Sequence, residues 1–171
     1  LRTLSTLSTS SILNFLSTIA IAQNKSTIDL SNYRLSDNTI SYSNYSPDTK
    51  QTTITFIDSI KLDLIVLDEE LNRTKDSISY ELPSAGYNIQ KSSINNSSIN
   101  YLLAKKDGHM SVLNYDRKEK KWNLGNSLLK DGERLLSSFA YKNTFYIFNY
   151  ERKSGTIKVY TAGVNGLIPF N

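Results

Sequence analysis

An antiparallel all-β fold, built of repeated hairpins and meanders, is what this sequence predicts. Apolar residues alternate with polar ones in short runs, as in Leu62, Leu64 and Val66 or Ile78, Tyr80 and Leu82, and a period of two puts one set of side chains on one face of a strand. Turn pairs punctuate these runs: Asp107 with Gly108, Lys142 with Asn143, Ser154 with Gly155, residues that enter tight or left-handed backbone at low steric cost. Outside the first 22 residues, no run longer than about ten residues carries helical spacing. With 171 residues, 39% hydrophobic and 21% charged, the chain can bury one real core, which excludes disorder throughout.

Taken in order, residues 1–22 read as a secretory signal. They hold no acid, Ile12 to Ala22 is a mostly apolar run of eleven, and Ala20, Ile21, Ala22 fits the small-x-small cleavage pattern with Gln23 as the new first residue. Such a run is too short to span a bilayer. Residues 23–52 form a polar entry segment rich in Ser, Asn and Thr, with a short strand expected at Thr39 to Tyr42 and a break at Pro47 and Asp48. From residue 53 to 171 the β pattern sharpens into a repeat domain. Thr53 to Phe56 alternates; 61 to 82 reads as a hairpin turning through Asp68 to Asn72; and Ser84 to Asn100 reads as a polar connection with at most one short strand. A second hairpin runs from Ile99 to Leu113 around Asp107 and Gly108, and a further strand passes through Trp122 and Leu124. Three strands close the domain: Phe139 to Tyr141, Phe145 to Tyr150, and Ile157 to Tyr160.

One phrase is written twice. Asn114, Tyr115, Asp116, Arg117, Lys118 returns 35 residues on as Asn149, Tyr150, Glu151, Arg152, Lys153, and superposing the copies pairs Met110 with Phe145 and Val112 with Ile147. An offset of 46 relates Leu64, Val66 and Leu67 to Met110, Val112 and Leu113. On this periodicity and phrase, residues 53–161 resemble the blade repeats of exported bacterial β-propellers. The resemblance implies sheets whose two faces are covered by neighbouring blades. The 149 residues from Gln23 onward amount to three or four blades of about 40 residues, the bottom of the range for a closed ring. Two architectures follow: a fragment of a longer propeller, or strands that close as a β-sandwich or meander.

Composition narrows the chemistry. The chain has no Cys and one His, which removes disulfide frameworks, thiolate zinc sites, cysteine nucleophiles and multi-histidine metal sites. Residues 1–85 hold 7 Lys/Arg against 10 Asp/Glu, and residues 86–171 hold 13 against 6, so the second half is basic. Its densest cluster, Arg117, Lys118, Lys120 and Lys121 beside Tyr115 and Trp122, interleaves cations with aromatics, the composition that holds phosphates and stacks bases. Exposed strand charges are equally what guards an edge against self-pairing. Asp63, Glu69 and His109 are the candidates for acid–base work, although adjacent acids on a turn point apart and a solvated turn His needs a positioned partner. Gly-rich phosphate loops, nucleophile elbows and metal-ligand spacings are absent, so no cofactor is expected.

The expected function is therefore a non-enzymatic, secreted or periplasmic β-repeat module presenting a surface to protein or carbohydrate ligands, with Tyr115, Arg117, Lys118, Lys120, Lys121 and Trp122 as candidate ligand-binding residues. The alternative is a fragment of a propeller-type hydrolase or lyase. Nucleic-acid binding through Arg117 to Trp122 is the third reading.

Overall fold

In the computed structural model, which describes residues 30, 33, 35–125, 132–141 and 144–170, twelve strands form three four-stranded antiparallel sheets in meander order. The first sheet holds β1 (Ile40–Ser46), β2 (Gln51–Asp58), β3 (Lys61–Leu67) and β4 (Ile78–Glu81). The second holds β5 (Asn88–Ile94), β6 (Ser98–Ala104), β7 (Met110–Asp116) and β8 (Lys121–Leu124). The third holds β9 (Glu133–Tyr141), β10 (Thr144–Glu151), β11 (Thr156–Gly163) and β12 (Gly166–Pro169). Every ladder joins sequence neighbours, and no helix occurs among the described residues. The predicted signal segment and the Lys142–Asn143 turn lie outside the described residues.

The hairpins expected from alternation form where expected, with additions in the polar stretches. β1 extends to Ser46 inside the polar entry segment, and β5 supplies, at seven residues, the one strand allowed for in the stretch expected to be a connection. Both are first strands pairing on one side only, β1 with β2 and β5 with β6, so one partner ladder holds them and little apolar patterning is required. β12 pairs Leu167 and Ile168 with Ala162 and Thr161 and is a strand the sequence pattern did not suggest.

Stacking follows from side-chain parity. On one face of the second sheet, Ile99, Tyr101, Leu103, Leu113 and Tyr115 pack with Ile57, Leu62, Leu64, Val66 and Leu82 of the first. On the other, Leu102, Ala104, Met110 and Val112 pack with Phe145, Ile147, Tyr160 and Ala162 of the third. The middle sheet is thus apolar on both faces, as a strand covered on both sides must be. Polar links cross the first seam: the Thr55 hydroxyl and the Tyr101 phenol lie 2.7 Å apart with both residues fully buried, and Ser46 Oγ donates to the Ile94 carbonyl at 3.2 Å. At the second seam Gly125 sits against the β11–β12 turn; a Cβ there would lie 2.5 Å from the Val164 carbonyl oxygen.

The doubled phrase does not mark the repeat. Its first copy closes β7, the third strand of the second sheet, and its second closes β10, the second strand of the third. At the 35-residue offset Val112 faces the third sheet while its counterpart Ile147 faces the second. The repeat is longer: β2, β6 and β10 begin at Gln51, Ser98 and Thr144, 47 and 46 residues apart. The offset of 46 keeps Leu64 with Met110 and Val66 with Val112, all facing the following sheet. What the phrase encodes is a hairpin loop. Asp116 pairs with Lys121 and Glu151 with Thr156 across four loop residues, the last left-handed in each, Lys120 at φ 53° and Gly155 at φ 69°. Asp116 Oδ1 accepts the N–H groups of Lys118 and Glu119, both at 2.9 Å, and the Ser154 hydroxyl donates to Glu151 at 2.5 Å. The Ser46 to Gln51 loop, with Lys50 at φ 53°, has the same form without the phrase.

Candidate functional site

Because each strand reverses the last, the β1–β2 and β3–β4 turns and their equivalents emerge at one end of the stack, and the β2–β3 turns and inter-sheet links at the other. The two copies of the phrase project from opposite ends.

The first copy builds a clamp rather than an open cluster. Arg117 Nε and Nη2 donate to Asp76 Oδ2 at 2.9 and 2.5 Å, and Nη1 donates to Gln51 Oε1 at 2.9 Å and to the Asn95 carbonyl at 3.0 Å. The two charged side chains are only 14% and 20% exposed. Arg117 therefore ties the first sheet to the second. Tyr115 is buried, and Trp122 lies 5.0 Å from its ring, 5.3 Å from Tyr80 and 6.3 Å from Tyr101 between centroids. Of the six predicted binding residues, Tyr115, Arg117 and Trp122 serve the sheet seam. Lys118, Lys120 and Lys121 stand exposed on the loop and on β8.

Asp63, Glu69 and His109 are not brought together. Asp63 lies in β3, pairs with Lys61 at 3.1 Å and accepts the Ser79 hydroxyl. Glu69 pairs with Lys50 at 3.0 Å in the β3–β4 loop, whereas His109 sits at the other end of the stack, edge-on to Tyr87 at 6.3 Å. Among the described residues no group of three His, Cys, Asp or Glu is placed to hold a metal ion, and no helix is long and apolar enough to cross a membrane.

The end carrying the β6–β7 turn holds an opening framed by the first two sheets. A cleft of about 730 Å³ lies between the first and second sheets, with Ile40, Ile57 and Tyr87 supplying its apolar wall and Asn38, Asn88, Lys105, Lys106 and the acidic Asp107 among its polar groups. Two of its lining residues have left-handed backbone, Ser59 at φ 58° and Gly86 at φ 89°. Ser59 is one of the two residues of the β2–β3 turn between Asp58 and Lys61, where a tight hairpin calls for left-handed backbone. Lys105 is positioned: its ammonium donates to Ser84 Oγ at 2.6 Å and stands 4.6 Å from the centroid of the Tyr87 ring. Across the Lys105–His109 turn lies a second cleft of about 340 Å³, lined by Lys105, Lys106, Glu133, Arg134 and Arg152. Glu133, its side chain 2% exposed, accepts from Asn149 at 2.8 Å and from the Tyr160 phenol at 2.7 Å, with Lys158 at 3.6 Å. None of Lys105, Lys106, Arg134 and Arg152 has an ion-pair partner among the described residues.

This site was faint in the sequence. Lys105 and Lys106 precede the Asp107–Gly108 turn, a signal for a hairpin, but nothing local shows that the next sheet brings Arg152 and Arg134 alongside. The sequence matches no protein-family model and no curated protein.

Proposed function

We propose that the chain is a non-enzymatic, exported binding module of propeller-type β repeats, and that its ligand is an acidic segment of another protein. The segment seats in the cleft between the first two sheets and follows the Lys105–His109 turn. The observation that carries this reading is Lys105, a cation held in place by Ser84 and Tyr87 without a carboxylate partner among the described residues. A fixed, unpaired ammonium beside Lys106 and Arg152 concentrates anions at the cleft mouth. An incoming carboxylate meets donors that lose little freedom on binding. Export rests on the Ala20, Ile21, Ala22 pattern.

Protein is favoured over carbohydrate and nucleic acid by where the aromatic rings lie. Sugar stacking and base stacking both need open ring faces, and Tyr87, the aromatic ring lining the cleft, is only 3% exposed. Tyr115 and Trp122 are committed to the seam.

Fluorescence anisotropy with a labelled glutamate-rich peptide tests the proposal, with a neutral oligosaccharide and single-stranded DNA run in parallel. Expected is a peptide affinity that weakens with salt and falls about tenfold in a Lys105→Ala/Lys106→Ala variant, a fold-change equal to about 1.4 kcal/mol. DNA binding that disappears in Lys120→Ala/Lys121→Ala, or peptide binding indifferent to Lys105 and Lys106, would overturn it.

A further inference from the structure

The two clefts beside the Lys105–His109 turn occupy equivalent places in successive repeats. β2, β6 and β10 begin 47 and 46 residues apart, so the β2–β3, β6–β7 and β10–β11 turns correspond. The first cleft lies between the first two of these turns, with Ser59 on one side and Lys105, Lys106 and Asp107 on the other. The second lies between the last two, with the same Lys105, Lys106 and Asp107 on one side and Arg152 on the other. In each, the following sheet contributes the start of its first strand: Tyr87 and Asn88 at β5, Glu133 to Leu135 at β9. One turn carrying two lysines is therefore a wall common to both clefts. The acids of these clefts are engaged within the fold. Asp107 Oδ1 accepts the His109 N–H at 2.9 Å, and Glu133 is held by Asn149, Tyr160 and Lys158. Arg152 is anchored by its backbone, whose N–H donates to the Gly132 carbonyl at 3.3 Å, while its guanidinium has no ion-pair partner among the described residues.

Resting on the reading above that the ligand is an acidic segment, we propose that the segment is held at two points, one carboxylate at Lys105 in the first cleft and a second at Arg152 in the next. The recognised pattern is then a pair of acidic residues three positions apart in an extended chain. The spacing follows from the stacking. Packed sheets lie about 10 Å apart, so equivalent points in successive seams are separated by about that distance. A polyproline-II chain rises about 3.1 Å per residue with three residues per turn, which places side chains three apart on one face at about 9 Å. In a β-strand the same-face positions two and four residues on fall at about 7 and 14 Å, and an α-helix reaches about 10 Å only after seven residues. The second cleft, about 340 Å³, admits a side chain but not a helix about 10–12 Å across, which selects the extended form. The two points also differ in kind. Lys105 offers one ammonium fixed by Ser84 and Tyr87, whereas the planar fork of Arg152 can take a carboxylate through two parallel hydrogen bonds.

Fluorescence anisotropy with the full 171-residue chain tests this, using labelled peptides of one composition in which two glutamates within a glutamine and proline frame stand one, three or seven positions apart. Expected is an affinity about tenfold higher at three positions than at the other two spacings, lost when the second glutamate is replaced by glutamine. Arg152→Ala should weaken the three-position peptide about tenfold and its glutamine counterpart by less than about twofold, a coupling that a double-mutant cycle isolates. Arg152 stands exposed on a loop, so the circular dichroism of that variant should match the parent, and the spacing series on the unaltered chain decides without any variant. Equal affinity at every spacing, a preference for seven positions, or an Arg152→Ala loss equal for both peptides would overturn the two-point contact. If binding in those cases still depends on Lys105 and Lys106, the acidic segment stands as ligand and only the pairing of sites falls. Affinity for none of the acidic peptides would overturn both.

Discussion

Replacing Arg117 with Ala should unfold the seam between the first two sheets more readily than any other single charge deletion in the basic cluster. The guanidinium makes four hydrogen bonds, two to Asp76 and one each to Gln51 and the Asn95 carbonyl. Its removal strands a carboxylate whose side chain is 20% exposed. Breaking a buried ion pair costs about 3–5 kcal/mol, and an exposed one about 0–1. With both partners mostly covered, the expected loss is about 3 kcal/mol, or about 6–12 °C in Tm at about 2–4 °C per kcal/mol for a chain of this size. Trp122 is the single tryptophan and lies in that seam, so its fluorescence during urea unfolding reads the effect as a lower midpoint at unchanged slope. Lys120→Ala and Lys121→Ala should each stay within about 0.5 kcal/mol, as exposed substitutions do. Arg117→Lys should recover only part of the loss, since an ammonium cannot reach three acceptors in one plane. A loss below about 0.5 kcal/mol for Arg117→Ala, the value of a surface pair, would refute the assignment of Arg117 as a clamp and return it to the candidate binding residues.

Further outcomes follow from other contacts. Gly125→Ala should cost about 1–3 kcal/mol by overpacking, because its Cβ meets the Val164 carbonyl rather than a movable side chain; thermal unfolding reads it directly. Tyr101→Phe should cost about 1–3 kcal/mol by leaving the buried Thr55 hydroxyl without its partner, and adding Thr55→Val should restore part of that, measured as a double-mutant cycle. At high pH stability should fall. Burial raises the Tyr101 phenol and also those of Tyr80, Tyr115 and Tyr160, so the folded state holds these protons more tightly than the unfolded chain. The contribution is complete below the unfolded tyrosine value of about 10 and is lost as pH rises through the folded values. Urea midpoints taken through that range should decline, and less steeply in Tyr101→Phe; an unchanged slope in that variant would refute the assignment.

Alternation made the fold class legible from Thr53 onward, because half-buried strands write their burial into the sequence with a period of two. The strands it missed or shortened are β1, β5, β9 and β12, each at a sheet edge and paired on one side. Edge strands of this kind need backbone partners more than apolar side chains, so Asn88, Ser92 and Ser93 give little sign of β5. The repeat was half legible. Leu64 with Met110 and Val66 with Val112 carried the true spacing, while the more conspicuous Asn-Tyr-acid-Arg-Lys phrase reported a loop geometry shared by unrelated hairpins. Arg117 shows why the site was harder: composition places it among lysines, and only the approach of Asp76 and Gln51 from the neighbouring sheet separates it from them. The same distance in sequence hides the meeting of Lys105 with Arg152.

The meander order of all three sheets bears on how the chain is made. Each ladder joins a strand to the one synthesised just before it, so a sheet can complete its backbone bonding as soon as its fourth strand emerges, without waiting for distant segments. Local pairing of this kind keeps contact order low for an all-β chain. The second sheet gains apolar cover on one face from a finished neighbour and on the other only after β10 appears. Folding can thus run from one terminus to the other, in the direction in which a polypeptide leaves a ribosome or a translocation pore.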